Sequence, residues 1–217
     1  MNNKINFIDI FKNNIIDKSD LINIKNNKKG WQSKITFYKI SDECKKKILN
    51  QCSIELIDNI IIKKKFINDD TYSHIKNYKQ QFECEINSLL ILFNNNNYPK
   101  LLAYNDEETC IYLSYCGLPL SVKNIPYDWE DQLITIINNL KEKNIYHNDM
   151  ICRLSSSNGG NFCVLNNKLY LIDFGWSTRD TPDFPNQNII LENMYNNKEY
   201  KKMLKYEKIN KNKFYKP

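Results

Sequence analysis

The sequence predicts an α+β protein with two lobes, a strand-rich N-terminal lobe and a smaller, helix-led C-terminal lobe. Short apolar runs bounded by Asn, Asp and Lys dominate residues 20–115, whereas the chain from residue 128 opens on a long stretch of helical spacing. Between them, the segment Cys116-Gly117-Leu118-Pro119 interrupts both patterns. We therefore expect one lobe over residues 1–115, a second over residues 116–217, and a hinge where they join.

The N-terminal lobe is predicted to combine an antiparallel sheet with one long helix. The helix covers residues 72–93, because four apolar residues fall on one side of it: Phe82, Ile86, Leu89 and Leu90. Residues 5–16 have the pattern of a shorter amphipathic helix. Apolar runs between polar breaks predict strands at residues 21–24, 35–40, 54–66, 101–104 and 110–115.

The C-terminal lobe is predicted to begin with a helix and continue into a β-hairpin. The helix covers residues 128–143, where Leu133, Ile136 and Leu140 recur at helical spacing. Two short apolar strands follow, at residues 162–165 and 169–172, and Asn166-Asn167 between them forms the turn. Nearer the C-terminus, one or two helices over residues 189–206 and a lysine-rich tail are expected.

The composition indicates an ordinary globular protein. The 217 residues carry a formal net charge of +6, and we expect the lysines to form solvated faces. No run reaches the roughly 18 apolar residues that span a bilayer, and the N-terminus lacks a secretion signal. Seven cysteines without a C-x-x-C pair, beside only two histidines, predict reduced thiols in the cytoplasm rather than a zinc site. The abundance of Asn, Ile and Lys suggests an AT-rich genome, as in some large DNA viruses, protists and bacteria; a viral protein would lie in the host cytoplasm or the virion.

Three polar side chains in the second half have the chemistry that phosphoryl transfer needs: Asp149, Asn161 and Asp173. The reaction requires a carboxylate at the acceptor hydroxyl and hard oxygen ligands for magnesium. Asp149 can supply the first, while Asn161 and Asp173 can supply the second. A hairpin turning at Asn166-Asn167 would bring the last two to one end of the hairpin. The alternative is that both aspartates are only turn or cap residues.

The motifs around these residues resemble those of the protein kinase superfamily. His147-Asn148-Asp149 is similar to the catalytic-loop H-R-D, Asn161 to the metal-binding asparagine, and Asp173-Phe174-Gly175 is a complete D-F-G. The resemblance implies a bilobal protein kinase-like fold with a truncated helical C-lobe, and ATP and Mg²⁺ as cofactors. It also implies that Asp149 is catalytic and that Asn161 and Asp173 hold the metal.

The resemblance extends, more loosely, to a lysine and a glutamate in the first half. Ile61-Ile62-Lys63 is similar to the V-A-I-K strand, whose lysine holds the ATP phosphates, and Glu85 to the helix glutamate that pairs with it. Period-two alternation places Lys63 and Lys65 on one face of the strand and Lys64 on the other. We predict Lys63 as the phosphate lysine, with Lys65 as the alternative; a solvated lysine run is the remaining interpretation.

The nucleotide base and the phosphate loop have weaker counterparts. Residues 111–117 resemble the fifth strand and hinge of the family, which implies that the backbone of Tyr115 and Cys116 meets adenine and that Leu113 stands behind the base. The glycine-rich loop is reduced to Gly30, which would have to act with neighbouring lysine side chains.

The catalytic region also departs from the family pattern. Asp149 and Asn161 are twelve positions apart where H-R-D-x-x-x-x-N has five, so the flexible insert 155–160 is predicted to bulge out. Asn158 is the less suitable metal ligand because no apolar strand follows it. Asn148 replaces the arginine that commonly pairs with a phosphorylated activation loop, so control by such phosphorylation is not expected. No A-P-E follows, and the large peptide-binding part of typical protein kinases cannot fit.

The predicted function is transfer of the γ-phosphoryl group of ATP to a hydroxyl. A protein serine or threonine is the first expected acceptor, and a small molecule, as in aminoglycoside-type phosphotransferases, is the alternative. His147 is expected to support the loop through hydrogen bonds. A pseudokinase acting as a scaffold is the rival from another class, favoured by the missing glycines and the insert. A nucleic-acid-binding protein is a third interpretation, but no reader motif appears, and we expect no specific nucleic acid and no membrane among its partners.

Overall fold

The chain forms a mixed α+β protein. The computed structural model describes residues 16, 21–29, 33–51, 56, 59–68, 77–121, 123–150 and 160–179, and within them it shows eight strands and three helices. The chain divides into two compact units, one of residues 1–94 with 99–115 and the other of residues 95–98 with 116–217. The last change of unit falls between Tyr115 and Cys116, where the sequence interrupts its pattern.

The first unit contains a five-stranded antiparallel sheet in the order β1-β2-β3-β5-β4. Two helices accompany the sheet in this unit. The elements are β1 Leu21–Lys29, β2 Ser33–Ile40, α1 Asp42–Gln51, β3 Ile60–Phe66, α2 Tyr78–Ile91, β4 Leu101–Asn105 and β5 Cys110–Ser114.

Helix α2 packs on β3, β4 and β5. Its N-terminus is closed by a capping box, in which Asn77 and Gln80 each accept a hydrogen bond from the other's backbone. The buried face of the helix carries aromatic contacts, with the Phe82 ring 5.7 Å from Phe66 on β3 and 6.3 Å from Tyr104 on β4. These contacts fix which residues of α2 face the sheet.

Helix α1 is an element that the sequence reading missed. It has only two buried apolar residues, Cys44 and Ile48, among lysines, which is too weak a stripe to stand out. A usable signal was present at its start: Ser41 accepts a hydrogen bond from the backbone N–H of Cys44, and two acidic residues occupy the first turn.

The second unit contains a three-stranded antiparallel sheet in the order β6-β7-β8, with a helix packed on β8. Its elements are β6 Leu118–Pro119, α3 Trp129–Glu142, β7 Phe162–Leu165 and β8 Lys168–Leu171. The predicted hairpin between β7 and β8 is confirmed, since Asn166 and Asn167 both have positive φ, 50° and 62°, as a type I′ turn requires.

The short segment 95–98 belongs to the second unit and supports this sheet. The carbonyl of Asn97 accepts a hydrogen bond from the Leu171 N–H at 2.9 Å, and its side chain donates to the Leu169 carbonyl at 2.9 Å. The hydroxyl of Tyr98 donates to the Ile136 carbonyl of α3, also at 2.9 Å. Helix α3 and strand β8 are therefore both bonded to this segment.

Several predicted segments fall outside the described residues. The helix expected at 5–16 does so except for residue 16, as do the helices expected at 189–206, the basic tail, and most of the insert 155–160. In the part of the chain that the structure describes, no helix is long and apolar enough to cross a membrane.

Candidate functional site

The β7–β8 hairpin sets the positions of Asn161 and Asp173. Phe162 pairs with Leu171, and one step further out the Ile172 N–H donates to the Asn161 carbonyl at 2.9 Å. Asp173 follows directly, with a left-handed φ of 67° that turns the chain out of the strand direction. The prediction that both residues lie at the same end of a hairpin is confirmed.

Asp149 lies in direct contact with Asn161 despite the twelve-residue separation. The Asn161 side-chain nitrogen donates to the backbone carbonyl of Asp149 at 2.5 Å and to its Oδ2 at 3.0 Å. The Asn161 backbone N–H also donates to the Met150 carbonyl at 3.1 Å. These bonds join the two ends of the intervening segment, so the twelve-residue separation does not hold the two side chains apart. Residues 151–159, including Asn158, lie outside the described residues.

The orientation of Asn161 suits a hard cation. Both of its partners on Asp149 are acceptors, so the amide nitrogen must face them, which directs the carbonyl oxygen Oδ1 away from Asp149. Amide and carboxylate oxygens are the hard donors that magnesium prefers in proteins. Among the described residues, no group of three or more His, Cys, Asp and Glu gathers as a metal site.

His147 holds the loop in place through both ring nitrogens, as expected. Nδ1 accepts a hydrogen bond from the Asp149 N–H at 3.3 Å, which leaves Nε2 to donate to the Ile172 carbonyl at 2.9 Å. The ring is fully buried and lies 4.7 Å from the Phe174 ring, edge to face. His147 therefore connects the backbone N–H of Asp149 with the backbone carbonyl of Ile172, the residue before Asp173.

The Asp173-Phe174-Gly175 turn is anchored on its apolar residue. Phe174 is fully buried between His147 and Tyr98, whose ring centroid is 5.8 Å away. The Phe174 carbonyl accepts hydrogen bonds from the Ser177 backbone at 3.0 Å and hydroxyl at 2.7 Å. Burial of Tyr98 raises the pKa of its phenol, so this support stays neutral. With Phe174 fixed, the direction in which the chain leaves Asp173 is fixed too.

In the first unit the structure corrects the choice of lysine. The residue paired with Glu85 is Lys64, whose ammonium lies 2.5 Å from the glutamate Oε2, and both side chains are buried, at 5% and 1% exposure. Lys63, the predicted partner, bonds instead to Glu108. Lys64 and Phe66 project from the face of β3 that carries α2, while Lys63 and the exposed Lys65 project from the other face.

Lys63 belongs to a separate polar cluster on the opposite face of β3. Its ammonium lies 2.5 Å from Glu108 Oε2 and 5.5 Å from the ring centroid of Tyr112, its cross-strand neighbour. Burial disfavours the charged form, but the hydrogen bond to Glu108 and the charges of nearby groups outweigh it and raise the pKa of Lys63. Burial also raises the pKa values of Tyr112 and Cys110. Lys63 is accordingly a charged member of an ion pair.

The remaining predicted nucleotide contacts are placed as follows. Leu113 is buried on β5 opposite Ile62 of β3, and Tyr115 packs edge to face on Phe37 at 6.2 Å. Cys116 is buried in the second unit and is not part of a disulfide. Gly30 lies outside the described residues.

The loop contains one functional candidate that the sequence reading treated only as a substitution. Asn148 has a left-handed φ of 62°, and its side-chain nitrogen donates to the Trp176 carbonyl and to the Thr178 hydroxyl oxygen, each at 3.0 Å. The signal available in the sequence was the residue type, since Asn adopts this conformation more readily than most residues do.

Neither a scan against protein-family models nor a search among curated protein sequences finds a match to this chain. The functional interpretation therefore depends on the residues themselves. The second unit holds the Asp149–Asn161 contact, with Asp173 directly after the residue that bonds to Asn161 across the hairpin. The first unit holds the buried Lys64–Glu85 pair.

Proposed function

We propose that this protein is an ATP-dependent phosphotransferase that moves the γ-phosphoryl group to a hydroxyl. The observation that carries the proposal is the contact between Asp149 and Asn161. The Asn161 carbonyl in turn bonds the N–H of Ile172, the residue directly before Asp173. A carboxylate and an amide in contact, with a second aspartate next along the hairpin, are the residue types that such a transfer needs. The resemblance of the motifs to those of protein kinases points the same way.

Asp149 is proposed as the residue that orients the acceptor hydroxyl and accepts its proton. The bonds from Asn161 and the His147 contact hold the backbone of Asp149 and one of its carboxylate oxygens. A base fixed in this way loses little freedom when the acceptor binds, which favours the transfer. In this proposal Asn161 therefore serves Asp149 as well as the metal.

Asn161 Oδ1 and the Asp173 carboxylate are the proposed magnesium ligands. Mg²⁺ bound with ATP supplies positive charge that neutralises the phosphates. The hairpin register holds Asn161, and the burial of Phe174 holds the residue next to Asp173. Both ligands thus stand on rigid elements, as a metal with strict geometric demands requires.

Lys64 replaces Lys63 as the proposed phosphate lysine. The Glu85 carboxylate orients the Lys64 ammonium, which is the role the resemblance gives to this pair. Lys63 is excluded from that role by its own bond to Glu108. The exposed Lys65 is on the same face as Lys63 and has no link to Glu85 in the described structure.

The proposed fold is bilobal and protein kinase-like. It is supported by a strand-rich unit in which α2 packs on the sheet, followed along the chain by α3, a loop and the β7–β8 hairpin; α1, between β2 and β3, is an additional element. The proposed location is the cytoplasm, of the host if the gene is viral, where Mg·ATP is available and thiols stay reduced. The proposed acceptor is a protein serine or threonine.

The test combines nucleotide binding with phosphoryl transfer, using the full chain. Thermal shift is measured with ATP in the presence and absence of Mg²⁺, and transfer is measured from γ-labelled ATP to serine- and threonine-containing peptides and, separately, to the aminoglycoside kanamycin. Asp149→Asn and Asp173→Asn are the variants, because each keeps the side-chain shape and removes the negative charge. We expect magnesium-dependent stabilisation and transfer in the wild type.

The two variants separate binding from chemistry. Asp149→Asn should keep the thermal shift and lose transfer, whereas Asp173→Asn should lose the magnesium dependence of the shift as well. Binding without transfer to any acceptor would replace the enzyme by a nucleotide-binding scaffold. No shift with Mg·ATP would overturn the proposal altogether, and transfer to kanamycin alone would move the acceptor from proteins to small molecules.

A further inference from the structure

We infer that Asn148 is a positioning residue, whose side chain ties the loop carrying Asp149 to the segment that follows Asp173-Phe174-Gly175. The part of this inference that concerns catalysis rests on the proposed function. The tie itself is a feature of the fold and is tested separately.

The tie uses the full donor capacity of the Asn148 amide. Its nitrogen carries two hydrogens, and it meets two acceptors at 3.0 Å, the Trp176 carbonyl and the Thr178 hydroxyl oxygen. The other end of the amide, Oδ1, is buried and accepts no hydrogen bond from the described residues. Since burying an acceptor without a partner is unfavourable, the two donor bonds determine how this side chain is placed.

The side-chain bonds extend a backbone bridge between the same two segments. The Tyr146 N–H donates to the Thr178 carbonyl at 2.8 Å, and the Thr178 N–H donates to the Tyr146 carbonyl at 2.9 Å. Asn148 lies two residues beyond Tyr146, and its side chain bonds to the same opposite segment, at Trp176 and Thr178. Backbone and side chain together therefore fix both the distance and the register of segment 146–148 against segment 176–178.

The backbone conformation at position 148 explains why an asparagine forms this tie. A left-handed φ of 62° is accessible to Gly, Asn and Asp at little cost, but strained for other residues. Of these three, only Asn offers two hydrogens to two acceptors, since Gly has no side chain and the Asp carboxylate would face a carbonyl oxygen. The position thus demands an asparagine for both its backbone and its amide.

The consequence for the site is that Asp149 is held from three directions. Asn161 holds its carboxylate, His147 holds its N–H, and Asn148, its immediate neighbour in the chain, fixes where the backbone enters. The groups in the Asn148 tie are all uncharged. The tie therefore needs no charged group.

The test compares two left-handed asparagines. Asn148→Gly keeps the backbone conformation and removes the tie, and Asn144→Gly is the matched control, because Asn144 is also left-handed (φ 52°) but exposed at the end of α3. Amide hydrogen exchange at Tyr146 and Thr178 reports the tie without reference to catalysis. We expect exchange at these two amides to be about tenfold faster or more in Asn148→Gly, and unchanged in Asn144→Gly.

The catalytic measurement determines kcat and KM separately, to show which of the two constants changes. Loss of positioning at Asp149 should lower kcat by about 10- to 100-fold, with KM for ATP within about twofold of the wild type. Thr178→Val, which removes the hydroxyl and keeps the shape, should act in the same direction more weakly, and Thr178→Ser should restore wild-type values. These variants carry the test if Asn148→Gly fails to fold.

Two results would overturn the inference. Unchanged exchange at Tyr146 and Thr178 in both Asn148→Gly and Thr178→Val would show that the tie does not hold the segments. Faster exchange with wild-type kcat would show a structural tie that does not position Asp149. If the wild type transfers no phosphate, the proposed function falls, while the exchange measurements still decide whether the tie exists.

Discussion

The loop and hairpin of the second unit and the β3–α2 pair of the first unit differ in how far their sequences specify them. In the second unit Asp149, Asn161 and Asp173 are single residues of distinctive type between apolar segments. The structure brings Asp149 into contact with Asn161, and Asp173 follows the residue that bonds to Asn161 across the hairpin. In the first unit three consecutive lysines leave the partner of Glu85 open, and the structure pairs Glu85 with Lys64, where Lys63 was predicted and Lys65 was the alternative.

The difference lies in what decides each position. The hairpin register follows from local turn chemistry at Asn166-Asn167, which the sequence displays. Which lysine of β3 faces α2 depends on how the helix packs on the sheet, and this is settled by Phe66 and Phe82 across 5.7 Å, far apart in sequence. Within a run of identical residues, the sequence does not show which residue faces which side of the sheet. An assignment that is wrong by one position therefore cannot be detected from the sequence.

The largest expected effect tests the second unit. Asp149→Asn should lower phosphoryl transfer by about 10²- to 10⁴-fold, because the amide cannot accept the hydroxyl proton. The measurement is the initial rate with γ-labelled ATP at saturating Mg·ATP, with circular dichroism to confirm the fold. A rate within threefold of the wild type would show that Asp149 takes no part in the chemistry. The motif in the second unit would then not have identified the catalytic residue.

The next effect distinguishes the two lysines. Lys64→Met should destabilise the fold by about 3–5 kcal/mol, because it leaves the buried Glu85 carboxylate without its counter-charge. Lys63→Met is the matched variant and should cost at most about 1 kcal/mol, since its pair is partly exposed, at 15% and 30%. Urea unfolding of both proteins gives the comparison, and equal losses would contradict the assignment.

A double variant separates stability from function at the same pair. Lys64→Met with Glu85→Leu should recover most of the stability, because an apolar pair of similar volume can replace a buried ion pair. It should not recover transfer, since no charge remains to meet the phosphates. Transfer restored together with stability would reduce the pair to a structural role.

The fold shows the same division between local and long-range information. The hairpin and helix α3 were readable from their turn and their periodicity, while α1 was missed because Cys44 and Ile48 alone form its apolar stripe. Strand β6 was missed because two residues contain no pattern; Leu118 and Pro119 become a strand only by pairing with Val164 and Cys163. Long-range pairing of that kind cannot be read from one sequence.

A smaller effect tests the start of β6. Gly117 has φ 90°, and a Cβ added there would lie 2.0 Å from the Val164 carbonyl oxygen. Gly117→Ala should therefore lower the free energy of unfolding by on the order of 3 kcal/mol, from backbone strain and steric displacement together. Leu118→Ala, at the exposed neighbouring position, should change it by no more than about 0.5 kcal/mol. A tolerated alanine would mean that β6 does not approach β7 so closely.

The smallest effect concerns the polar cluster around Lys63 and its response to alkali. The pKa values of Lys63, Tyr112 and Cys110 are all raised in the folded protein, so each group keeps its proton to a higher pH than in the unfolded chain. Between the unfolded and folded values the unfolded chain therefore binds fewer protons, and stability falls as pH rises, beginning near pH 9, the ordinary value of the Cys110 thiol.

The Tyr112→Phe variant tests the direction of this pH dependence of stability. The variant has no phenol to ionise, so its unfolding free energy should decline less steeply than that of the wild type between about pH 9 and 11, while below pH 8 the two proteins should have the same pH dependence. Urea unfolding at a series of pH values measures the slopes. A steeper decline in the variant would show that the phenol is ionised in the fold and stabilises Lys63 as an anion, which would make this face of β3 an ionic site and not the neutral-phenol cluster that the burial of Tyr112 implies.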